Sequence, residues 1–91
     1  MTPELTHNIF LFGGLRQFSK DNPITLTAIA GDKVDDIKNR WCLYCTQTIP
    51  GFDGEELIKT AVLANEERIF SVDEVIKPNQ NLALLPPVCG G

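Results

Sequence analysis

The residues with the most chemical potential collect at one end of the chain, Leu82-Ala83-Leu84-Leu85-Pro86-Pro87-Val88-Cys89-Gly90-Gly91. An α-carboxyl with a reference pKa of about 3.5 is ionised at neutral pH, and Gly91 puts no β-carbon beside it. Such a group can enter a narrow cleft and be activated there. Gly90 extends that slenderness by one residue. Pro86 and Pro87 fix φ and favour an extended path, so the stiff part of the tail aims the loose part. Fully extended, residues 86–91 reach about 20 Å. No charged residue interrupts the stretch from Asn79 to Gly91.

Other groups compete poorly for a catalytic role. Cys42-Leu43-Tyr44-Cys45 has the C-x-x-C spacing of a redox pair or half a zinc site. No second such pair exists, His7 is the sole histidine, and the two cysteines fall on an expected helix, so packing is the favoured role. Cys89, two residues from the terminal carboxyl, offers a persulfide, mixed disulfide or thioester in transit, with a small residue lining a partner's channel as the first choice. One histidine supplies no Ser/His/Asp or Cys/His arrangement. Asp35-Asp36, Glu55-Glu56 and Glu66-Glu67 read as solvated carboxylates. Gly13-Gly14 lacks the spacing of a phosphate-binding loop. The expectation is a chain with no catalytic residues in isolation, no metal site and no bound cofactor.

The elements that must hold this tail follow from composition and periodicity. Ninety-one residues, 43% hydrophobic and 22% charged, make one ordinary globular domain spanning 1–91. Residues 1–7 read as loose and 86–91 as a protruding tail. Twelve acidic against eight basic residues give a net charge of −4, the wrong sign for a nucleic-acid partner. No apolar run approaches the ~20 residues of a membrane span, and the start lacks the regions of a signal peptide. A cytoplasmic protein with reduced cysteines is expected.

Asn8-Ile9-Phe10-Leu11-Phe12 reads as a strand apolar on both faces. Leu15 to Phe18 suits a helical turn, and residues 24–29 a second strand, antiparallel to the first. Gly31-Asp32 opens a helix over 33–45, with Asp32 as N-cap and a stripe of Val34, Ile37, Trp41 and Tyr44 or Cys45. Residues 49–54 read as a loop, and residues 61–64 and 68–70 as strands of a second hairpin about Asn65-Glu66-Glu67. Val75-Ile76 suits a turn or short helical segment, Pro78-Asn79 a turn, and residues 82–85 the last strand. One helix covers one face of a mixed sheet, an α+β arrangement. The opposite face is either closed by loops or left as a protein-docking surface.

The stretch Leu82 to Gly91, above all Pro-Pro-Val before the terminal Gly-Gly, resembles the ubiquitin-like β-grasp sulfur carriers, and among them the small subunits of molybdopterin synthase. Phe10-Leu11-Phe12 with Leu15-Arg16, and Ala64-Asn65, are weaker echoes. The resemblance spans nearly the whole chain in element order. It implies a β-grasp fold and a Gly91 carboxyl that an ATP-consuming, E1-like adenylyltransferase/sulfurtransferase converts to a thiocarboxylate. The tail of Pro86, Pro87, Val88, Cys89 and Gly90 then enters the large synthase subunit, and the sulfur passes to a pterin precursor in molybdenum cofactor biosynthesis. Phe12 and Leu85 match docking positions of the family; strand alternation adds Phe10. Cys89 departs from the small or hydroxyl residue expected there, and the loop 49–56 is longer than the family minimum. The same fold and tail also serve carriers for thiamine or cysteine biosynthesis and modifiers that form isopeptide bonds. A thiol or zinc module built on Cys42, Cys45 and Cys89 is a further alternative.

Overall fold

The computed structural model describes residues 5–86. Four strands, β1 (Thr6–Leu11), β2 (Ile24–Thr27), β3 (Val62–Ala64) and β4 (Asn81–Leu85), form one sheet in the order β2-β1-β4-β3. β1 pairs antiparallel with β2 and parallel with β4, and β3 pairs antiparallel with β4. A 3-10 helix, Gly13–Phe18, follows β1. The main helix α1 (Val34–Thr48) crosses one face, and a short α2 (Glu55–Thr60) precedes β3. The expected mixed sheet with one main helix is therefore what the chain forms.

Alternation places His7, Ile9 and Leu11 of β1 and Leu82 and Leu84 of β4 on the helix-facing side, all at most 2% exposed. Val34, Ile37, Trp41 and Cys45 of α1 close the core from above. Tyr44, the other candidate for that stripe, is 54% exposed, because Cys45 is the residue that completes the turn from Trp41 toward the sheet. α1 runs three residues further than expected, to Thr48.

Two asparagines hold the ends of β1. Asn22 accepts from the Leu11 N–H at 2.9 Å and donates to the Leu11 carbonyl at 3.0 Å, so its side-chain amide continues the ladder beyond Ile24. At the other end Asn79, with φ +62°, donates its N–H to the Thr6 carbonyl and accepts from the Thr6 N–H. Asparagine tolerates that left-handed conformation better than most residues.

Several expectations are corrected. β1 begins at Thr6, so Thr6 and His7 are not part of a loose segment; His7 is fully buried. β1 ends at Leu11 and β2 at Thr27. Residues 55–60 are helical. The second hairpin closes about Asn65, whose Oδ1 accepts from the Glu67 and Arg68 N–H groups, but its return arm is a single bridge, Ala64 to Ile69. Val75 lies extended, bridged to Lys33. β3 finds its ladder partner in β4 instead, which puts the last strand in the sheet interior.

Candidate functional site

The tail springs from β4, which is hydrogen-bonded on both sides, to β1 and to β3. Its last residue, Leu85, pairs with Val62. Pro86, the next residue, is half-buried and packs on Gly13, at the start of the 3-10 helix. Pro87, Val88, Cys89, Gly90 and Gly91, the remainder of the expected tail, lie outside the described residues.

The sheet face away from α1 carries Phe10 and Phe12, 38% and 46% exposed. Phe10 lies opposite Ala83 across the parallel pair, and the two aromatic rings share a shallow depression with Asn65, Glu66, Asn81 and Ala83. Leu85 is half-buried and sits on the same face two residues past Ala83, outside that depression, with Val62 beside it. The structure thus brings Phe10 and Phe12 together and places Leu85 nearer the tail. Among the described residues, no helix or loop covers these two aromatic side chains enough to bury them.

The cysteines of α1 are poorly suited to thiol chemistry. Burial, then Cys42, pushes the Cys45 thiol up to about 11, and burial, then Glu55, raises that of Cys42. The thiolate is the reactive and metal-binding form. Among the described residues, no three His, Cys, Asp or Glu side chains converge as metal ligands would.

Sequence reasoning missed two buried polar clusters. Asp32, read as an N-cap, is only 3% exposed and accepts from Arg40 at 2.7 and 2.9 Å, from the Ile29 N–H at 2.9 Å and from His7 Nε2 at 3.2 Å. Burial alone would raise its pKa; the Arg40 guanidinium, the Ile29 amide and His7 outweigh it and hold the carboxyl at about 2. A carboxylate only accepts, so His7 donates from Nε2; its Nδ1 is buried and has no partner among the described residues. Arg40 also donates to the Thr27 carbonyl, tying β2 to α1. The helix cap is instead Lys33, whose N–H donates to Asp36. In the second cluster, the buried Lys38 amine donates to the carbonyls of Lys59 and Ala61, the end of α2, where helix carbonyls lack partners and favour a cation. The one available signal was Lys38 itself, a polar residue beside Ile37 on the apolar stripe. Both clusters brace the scaffold at sites remote in sequence from the tail.

No helix among the described residues is long and apolar enough to cross a membrane. No family model and no curated protein matches the chain. Among solved structures, the crystal structure of SAMP1 from Haloferax volcanii is similar with a TM-score of 0.66 and 19% sequence identity, covering 94% of this chain and 99% of that one. With a mixed sheet whose last strand lies in the interior, one main helix across a single face, and this likeness along nearly its whole length, the chain has the ubiquitin-like β-grasp fold.

Proposed function

We propose that this protein is a sulfur carrier, the small subunit of a molybdopterin synthase. The carboxylate of Gly91 attacks the α-phosphate of ATP on an E1-like adenylyltransferase/sulfurtransferase, releasing pyrophosphate. Sulfide, HS⁻, then attacks the acyl carbon of the adenylate and displaces AMP, leaving a terminal thiocarboxylate. In complex with the large synthase subunit, that sulfur is donated to a pterin precursor during molybdenum cofactor biosynthesis. The catalytic groups belong to the partners, ATP is consumed by the adenylating enzyme, and this chain binds no cofactor. Its setting is the cytoplasm, where the thiols of Cys42, Cys45 and Cys89 stay reduced.

The observation that carries the reading is the seating of the tail. An interior strand, paired on both sides, runs directly into Pro86, and the sheet face beside it leaves Phe10 and Phe12 open. An exposed apolar face of this kind suits a protein partner, and a rigid base suits delivery of a carboxyl into that partner's cleft.

The test is ATP–pyrophosphate exchange by the adenylating enzyme with the full chain and with a variant lacking Gly91. Exchange with the full chain and at least a hundredfold less with the variant is expected, because the shortened tail falls about 3.5 Å short. Equal exchange by both chains would overturn the reading. Carriers for thiamine or cysteine biosynthesis share the activation step and differ in the partner that co-purifies. A protein modifier shares it too, and ends in an isopeptide bond to a lysine of another protein.

A further inference from the structure

We propose that Gly13 is a positioning residue for the tail, its bare backbone forming the seat that sets the direction in which the chain leaves β4. The proposal rests on the carrier reading above. A β-carbon added to Gly13 would stand 2.8 Å from Pro86 Cγ and 3.5 Å from its Cδ. Gly13 also has φ +58°, where side chains other than those of Asn and Asp are strained. Two independent demands, a left-handed backbone and close approach of the proline ring, meet at one residue.

The seat is itself fixed. Two residues on, Leu15 is fully buried in the core and donates its N–H to the Phe12 carbonyl at 3.2 Å. Gln17 Nε2 donates to the Gly14 carbonyl at 2.8 Å, closing the turn from the other side. Pro86 has a locked φ, and Leu85 before it is held in the ladder by Val62. The proline ring therefore lies between a paired strand and a core-anchored turn. The same turn follows Phe12 directly, so the exit direction is set relative to the exposed aromatic face. A partner that docks on that face meets the chain's exit at Pro86 at a defined angle. For a fully extended segment of five residues, tilting the exit by 30° would move its end by roughly 8 Å.

The test is steady-state ATP–pyrophosphate exchange with the full chain as the varied substrate of the adenylating enzyme. Gly13→Asn keeps the left-handed backbone accessible and adds the β-carbon. Its expected effect is a KM about tenfold higher with kcat within about twofold, since fewer free chains present the tail in the competent direction while the bound state is unchanged. Pro86→Ala removes the ring from an unaltered Gly13 and should raise KM about threefold. A change that acted only through folding would raise KM by no more than the inverse of the folded fraction seen by circular dichroism, so a rise of about tenfold in a variant that is fully folded belongs to the tail's direction. KM values within about twofold of the unmodified chain for both folded variants would overturn the proposal; if Gly13→Asn fails to fold, Pro86→Ala alone decides it. A wild-type chain that supports no exchange would overturn the carrier reading itself.

Discussion

Asp32 shows how far a single residue's role can depend on contacts remote in sequence. Standing after Gly31 and before an apolar period, it has every local mark of a helix cap. Its partners, however, are Arg40, two turns along α1, and His7 on β1, and no local pattern encodes that meeting. The folded-state pKa is depressed from 3.8 to about 2. The sign follows: the carboxylate's contribution is complete above its unfolded value and is lost as pH falls through the folded one. Asp32→Asn should lower stability by about 2 kcal/mol at pH 7 and flatten the loss of stability between about pH 4 and pH 2. Urea unfolding at pH 7 and again across the acid range measures both, and an acid limb identical to that of the unsubstituted chain would contradict the assignment. Lys38 was hidden for a similar reason. Its place beside Ile37 was visible, but the carbonyls it caps belong to a helix twenty residues away.

Long periodic elements were readable, and short or non-local ones were not. α1 announced itself through Val34, Ile37, Trp41 and Cys45, and the first and last strands through apolar runs suited to the interior of a sheet. α2 has six residues, under two turns, too few to establish a helical period. Its Glu55-Glu56 pair lies in the first turn, where negative charge favours a helix start. β3 looked like half of a local hairpin because Asn65-Glu66-Glu67 is a sound turn. Its three residues pair with β4 about twenty positions on, a choice made by burial of Leu63 against the core. Trp41 is the largest fully buried side chain among the described residues, 1% exposed with its ring meeting Phe18 edge-on at 6.3 Å. Trp41→Ala should cost about 3–5 kcal/mol by chemical denaturation. A loss under about 1 kcal/mol would mean that the helix is held chiefly by its polar ties to β2 and α2.

Across the whole molecule, the order of elements and the apolar character of both faces of β1 were enough to anticipate a mixed sheet with one helix on one face, while closure of the other face by loops and an open docking surface stood as alternatives. What the order could not supply was the geometry at the tail base, because Gly13 and Pro86 are far apart in sequence and meet only through the sheet. The sheet face away from α1 leaves Phe10 and Phe12 open to a partner. If it docks the large subunit, Phe12→Asp should raise the dissociation constant of the complex at least tenfold, about 1.4 kcal/mol, and leave the thermal midpoint nearly unchanged because the ring is already 46% exposed. Titration calorimetry with the purified subunit reads the first and a thermal melt the second; unchanged affinity would remove Phe12 from the interface. Sulfur carried on the carboxyl of Gly91 is visible to intact mass spectrometry of the chain purified from its own host, with the last residues sequenced by fragmentation. A fraction heavier by about 16 Da at Gly91, sulfur in place of oxygen, is expected of a sulfur carrier; a wholly unmodified carboxylate, accompanied by Gly-Gly remnants on lysines of other proteins, would contradict that role and identify a protein modifier instead.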